Sequence, residues 1–94
     1  ENGACFKDSV ENNRVHDPKR INFFERYLEQ ILKAKNEGAP VDGYFVWSLT
    51  DNFEWSEGYD PRFGLIHVDF KTQKRIIKDS GYWFQSFLSD KENK

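Results

Sequence analysis

The run Gly43-Tyr44-Phe45-Val46-Trp47-Ser48-Leu49 has an apolar or small side chain at every position. Successive side chains of a strand point to opposite faces, so this run offers water no polar face. A strand covered on both sides, as in a parallel sheet flanked by helices, has this pattern. Such a strand cannot stand by itself, because its N–H and C=O groups would be open along both edges. The chain is therefore expected to be part of a larger α/β structure.

The flanking segments support that class. Asp17-Pro18 reads as a helix start, with Asp as N-cap accepting from the first N–H groups and Pro in the first turn. Ile21, Phe24, Leu28, Ile31 and Leu32 then recur at three- and four-residue steps, with Tyr27 at the margin. Glu25, Arg26, Glu29, Lys33 and Lys35 form the opposite, solvated face, and Gly38 and Pro40 end the helix near Asn36. A helix followed by a buried strand after a short Gly/Pro connection is an α/β unit. Residues 4–16 read as a loop, 50–62 as a polar, acidic loop, and 63–69 and 75–77 as a small hairpin around 71–74. Asp79 or Ser80 can cap a last helix that carries Tyr82, Trp83, Phe84, Phe87 and Leu88 on a broad apolar surface. The stretch 89–94 reads as a frayed end.

Composition excludes several function classes. Lys+Arg number 14 against 16 Asp+Glu, so no basic excess points to nucleic acid or an anionic membrane. No apolar run approaches a membrane span, and no secretory h-region is visible at the start. Cys5 is the single cysteine, which excludes an internal disulfide. With two histidines it makes a poor zinc set. His16 and His67 read as structural, Cys5 as a small packing residue, and 71–75 as a solvated turn. No cofactor is expected. The lack of a disulfide framework favours the cytoplasm.

Aromatics reach 17%, and two readings fit: rings that fill a small core, or rings that stack on a flat ligand such as a sugar. Asp51, Glu54, Glu57 and Asp60 crowd the long loop, yet a calcium loop fails because Phe53 and Trp55 stand where oxygen donors belong. Glu54 lies between Trp47 and Trp55, just past the buried run. A carboxylate there can accept from sugar hydroxyls while indoles cover the C–H face. The same residues also fit a plainer arrangement, with both indoles in the core and Glu54 a surface charge.

Taken in order, these segments resemble family 1 glycoside hydrolases. Glu1-Asn2-Gly3 matches the end of that family's Thr-Glu-Asn-Gly motif, and residues 43–58 look like its last barrel strand and sugar-binding loop. Arg62-Phe63-Gly64-Leu65-Ile66-His67-Val68-Asp69-Phe70, then Lys74-Arg75 and Lys78-Asp79-Ser80, continue the match over nearly the whole chain. The resemblance implies that residues 1–94 are the C-terminal segment of a single (β/α)8 TIM-barrel domain, about its last two βα units. Residues 17–36 would be the seventh helix, and 43–49 the eighth strand. Barrel enzymes carry their sites at the C-terminal ends of the strands, where Glu1 and the 50–58 loop would both fall.

By the same resemblance Glu1 is the nucleophile of a retaining β-glycosidase, in which two carboxyl groups about 5–5.5 Å apart act as nucleophile and acid/base. Glu54 would accept from glycone hydroxyls, and Trp55 would donate its indole N–H. Trp47 would be the stacking floor, with a cis peptide to Ser48, and Phe63 an apolar wall. A carboxylate at position 54 would repel a phosphate, which favours a neutral β-glucoside or β-galactoside as substrate. The family's Asn-Glu-Pro acid/base motif is not in the sequence, and the Thr before Glu1 is missing. No methionine occurs, and the opening Glu1-Asn2-Gly3-Ala4 reads as a processed or excised piece. The isolated chain is thus expected to be inactive and to need the N-terminal remainder of the barrel. Two other classes remain: a non-catalytic carbohydrate-binding or barrel-complementing fragment, and a structural module with idle motifs.

Overall fold

The computed structural model describes residues 1–52 and 62–92. Its elements run α1 (Pro18–Asn36), β1 (Ile66–Val68), β2 (Arg75–Ile77) and α2 (Asp79–Glu92). The strands form an antiparallel hairpin with Ile66 opposite Ile77, His67 opposite Ile76 and Val68 opposite Arg75. The two helices pack on each other. Phe24, Leu28 and Leu65 form the buried centre, and Phe23, Tyr44, Val46, Trp83, Phe84 and Phe87 pack around it. Phe24 meets Phe84 edge-on, with ring centroids 5.7 Å apart.

Helix α1 begins and ends where the sequence signals place it. Pro18 opens the first turn, Lys33 and Lys35 sit in the last turn, and Gly38 takes the left-handed backbone (φ 104°) that stops it. Two expectations need correction. Asp17 makes no capping hydrogen bond to its own helix; its carboxylate accepts from Arg20 Nη1 at 2.6 Å and from the Ser80 N–H at 2.8 Å. It therefore satisfies one of the free N–H groups at the start of α2, not of α1. Asp79 is drawn off to Arg14 and His16, and the Ser80 hydroxyl is buried without a partner. The cap of α2 thus comes from a residue far away in sequence. Helix α2 also continues to Glu92, inside the stretch 89–94 read as a frayed end. Trp83, Phe84 and Phe87 supply its packing, while Tyr82 and Leu88 are exposed.

The segment 43–49 is not a regular strand. Val46 makes one parallel bridge to Asn2, and Thr50 makes one to Ile66. Tyr44, Val46 and Ser48 face inward, but Phe45 is 75% and Leu49 66% exposed. The expectation of cover on both faces is therefore not met. Trp47 on the same face is better covered, at 38% exposed, and a ladder cannot propagate along a partner as short as the Asn2 stretch. Strand β1 is also shorter than the hairpin reading expects. The backbone of residues 63–66 bonds instead to 48–49, with Ser48 N to Phe63 O at 3.3 Å, Leu65 N to Ser48 O at 3.0 Å and Ile66 N to Leu49 O at 2.9 Å.

Residues 4–16 contain neither helix nor regular strand, as expected of a loop, yet they are firmly tied. Glu11 and Arg14 exchange both backbone hydrogen bonds, with Asn12 and Asn13 at φ 52° and 62° between them. Two central residues of positive φ define the tight hairpin turn that Asn tolerates best after Gly. Phe6 pairs with Arg62, and Val15 is fully buried.

Candidate functional site

The Glu1 end of the chain is held by its neighbour. The Asn2 N–H donates to Phe45 O, and the Trp47 N–H donates to Asn2 O, both at 2.9 Å. Tyr44 Oη donates to Asn2 Oδ1 at 2.7 Å, and burial raises the Tyr44 pKa, which keeps the phenol proton in place for that bond. Asn2 is thereby locked in register beside Val46, and exposed Glu1 lies one residue before it. The fit is close at Gly3, where a Cβ would overlap the Trp47 carbonyl oxygen.

Trp47 follows directly, 38% exposed and joined to Ser48 by a cis peptide bond, as the resemblance implies. The Ser48 N–H reaches the Phe63 carbonyl at 3.3 Å, so half-buried Phe63 is tied to the same peptide. Asn2, Trp47 and Phe63 are thus linked through one patch of backbone. Glu54 and Trp55 lie outside the described residues, as do Phe53, Glu57 and Asp60. Among the described residues no group of three or more His, Cys, Asp or Glu converges on a metal site. No described helix is long and apolar enough to cross a membrane.

Behind this face lies a buried ion network that the sequence reading missed. Arg20 reaches Asp17 at 2.6 Å and Asp8 at 2.9 Å. Lys78 Nζ reaches Asp8 at 2.5 Å and Asp51 at 2.8 Å. Arg62 Nη1 reaches Asp51 at 2.7 Å. The Arg20 and Lys78 side chains have no exposure at all. A signal for it was present: Arg20, Phe24 and Leu28 fall at four-residue steps on one stripe of α1, so a cation stands where an apolar residue belongs. Such a cation must find carboxylates, because an unpaired buried charge is costly.

Burial by itself would raise the Asp51 pKa, but bonds and charge from Lys78, Arg62 and the Gly64 N–H outweigh it and hold the group below its usual 3.8. His67 is buried with Nδ1 unpartnered. Burial, then the Arg62 charge and that of Lys78, push its pKa below 6.5, only partly opposed by Asp51 and Asp8. A neutral folded histidine contributes stability that is complete above the unfolded value and declines as pH falls below about 6.5. Asp51 contributes stability that is complete above its unfolded value of 3.8 and disappears at lower pH, as its folded form takes up a proton. We expect the denaturant midpoint to fall between pH 7.5 and 5.5, and this slope to flatten in His67→Gln. An equal slope in both proteins would rule out His67 as its source.

The comparisons with known proteins fit this geometry. The family model described as glycosyl hydrolase family 1 matches residues 1–93. A 1,4-beta-D-glucan glucohydrolase of Thermotoga neapolitana is 55% identical over 91 residues, covering 96% of this chain and 20% of that protein. A 6-phospho-beta-galactosidase of Clostridium acetobutylicum is 51% identical over 92 residues, covering 98% of this chain and 19% of the relative. Among solved structures, a family 1 β-glucosidase from Thermotoga maritima superposes with a TM-score of 0.91 at 55% identity, covering 94% of this chain and 20% of that one. The GH1 beta-glucosidase from Exiguobacterium antarcticum B7 gives 0.96 at 44% identity, over 98% of this chain and 21% of that one. The chain thus spans about a fifth of the length of the relatives it matches. With its motifs in order and its backbone superposing on that fifth of a (β/α)8 barrel, the chain belongs to glycosyl hydrolase family 1.

Proposed function

We propose that in a complete barrel this chain supplies the nucleophile and most of the glycone site of a retaining β-glycosidase, acting on terminal non-reducing β-D-glucosyl or related residues. The observation that carries the reading is the parallel pairing of Asn2 with Val46, which brings the Glu1 end of one segment beside Trp47 at the end of the next. Glu1 attacks the anomeric carbon while an acid/base carboxyl, supplied from outside these 94 residues, protonates the leaving oxygen. Water activated by that same group then releases the sugar from Glu1. Trp47 forms the floor under the ring and Phe63 a wall. Glu54 and Trp55 bond the glycone hydroxyls.

The names of the relatives include both glucohydrolases and 6-phospho-beta-galactosidases at similar identity, so identity over this fifth does not choose between neutral and phosphorylated sugars. The carboxylate at position 54 favours the neutral ones. Residues 1–94 by themselves hold no Asn-Glu-Pro, and we propose that they do not turn over glycosides unaided.

Trapping tests the reading. A 2-deoxy-2-fluoro-β-glucoside with a good leaving group should inactivate the complete barrel and leave one sugar esterified to Glu1, located by peptide mass spectrometry. The 94-residue chain treated likewise should remain unlabelled. Label on any other carboxylate of the assembled enzyme would end the assignment.

A further inference from the structure

Asp51 stands where the sugar-facing aromatics meet the buried ions. Its side chain has no exposure and accepts four hydrogen bonds. The donors are Arg62 Nη1 at 2.7 Å, Lys78 Nζ at 2.8 Å, the Gly64 N–H at 3.0 Å and the Val68 N–H at 3.3 Å. Gly64 follows Phe63, whose carbonyl accepts from Ser48 N–H, the amide of the Trp47–Ser48 peptide. One carboxylate thereby sets where Phe63 sits relative to Trp47. The approach leaves no slack, since a Cβ on Gly64 would overlap the Asp51 backbone nitrogen and lie 2.8 Å from its Oδ1.

The ion partners are themselves fixed. Arg62 Nη1 also donates to Val68 O at 2.8 Å, its guanidinium lies 4.7 Å from the centre of the Phe70 ring, and Arg20 Nη2 donates to its carbonyl at 2.7 Å. Lys78 is shared with Asp8. A neutral side chain could accept from the two backbone N–H groups, but only an anion draws Arg62 and Lys78 onto the same point.

We propose that Asp51 is a positioning residue for glycone recognition, holding Phe63 and the Trp47 peptide in the spacing that receives the sugar ring. It does not touch substrate; it acts through those two aromatics, and so rests on their proposed role as wall and floor. The test uses the complete barrel with Asp51→Asn, Trp47→Ala and the double variant, active sites being counted by fluoroglucoside trapping. Expected for Asp51→Asn is a loss of about 100-fold in kcat/KM per titrated site on 4-nitrophenyl β-glucoside. In the double variant the losses should combine to less than their product.

Unchanged kcat/KM per site in Asp51→Asn, with only the unfolding midpoint lowered, would overturn the inference while leaving the aromatic floor intact. So would losses that multiply fully. A silent Trp47→Ala would instead remove the floor itself, and this inference with it. Should Asp51→Asn fail to accumulate, Arg62→Lys makes the same decision, with a smaller loss expected in the same direction and the same less-than-product behaviour with Trp47→Ala.

Discussion

Glu1→Ala in the complete barrel should lower turnover of an aryl β-glucoside by roughly 10⁴- to 10⁶-fold, the scale on which loss of a catalytic nucleophile acts. The loss should be reversible in a diagnostic way. Removing the carboxylate leaves a space below the anomeric carbon into which azide can diffuse. Azide then displaces the leaving group in a single step, and the acid/base still protonates the departing oxygen. The product should be the α-glucosyl azide, of inverted configuration, because the double displacement has become a single one. A variant that keeps most of its activity, or that azide converts to a β-azide, would show that Glu1 does not attack carbon. The structure motivates the choice of residue through its neighbour: Asn2 is pinned by two backbone bonds and by Tyr44, so Glu1 is joined directly to a fixed residue.

The second large effect is on stability. Lys78→Met should destabilise the complete barrel by about 3–5 kcal/mol, the range for removing one partner of a buried ion set. The Lys78 ammonium is wholly enclosed and holds Asp8 and Asp51 together. Without it two buried carboxylates face each other, each left with one arginine, Arg20 for Asp8 and Arg62 for Asp51. Asp79→Asn is the control. Its partners Arg14 and His16 have side chains 62% and 55% exposed, so its loss should stay within about 1 kcal/mol. Guanidinium midpoints of the two variants compare them directly. Equal shifts would mean that the network is not the anchor its burial indicates. Neutralising Asp8 to Asn in the Lys78→Met background should recover part of the loss, because it leaves a balanced set, Asp17 with Arg20 and Asp51 with Arg62.

What was legible in the sequence was local. The limits of α1, the hairpin turn and the start of α2 depend on signals within a few residues: Asp17-Pro18, Gly38, the polar run at 71–74 and Asp79-Ser80. The ion network was not legible because its partners are far apart along the chain; Lys78 and Asp8, for example, are joined across 70 positions. Asp17 shows the same limit. Its residue type marks a helix start correctly, yet Arg20 and the Ser80 N–H compete better for its oxygens than its own helix does. The ribbon at 43–49 read as doubly buried because its composition fits a barrel wall. In this chain Phe45 and Leu49 are exposed. For the site, Glu1, Trp47 and Phe63 are reached through motif resemblance; the backbone pairs Asn2 with the Val46–Trp47 stretch and Phe63 with Ser48. Asp51 was noticed only as one acid among four, since nothing local shows that its partners sit at 62, 64, 68 and 78.

The Asp17 carboxylate closes a ring of chain, because it ties the beginning of one helix to the first turn of another 63 positions later. Insertions or deletions within that circuit must leave both of its fastened points in place, so length can vary freely only where the backbone swings out to solvent and returns. The exposed bend at 71–74 meets that condition, whereas the stretch from Gly64 to Val68, gripped along its length, does not.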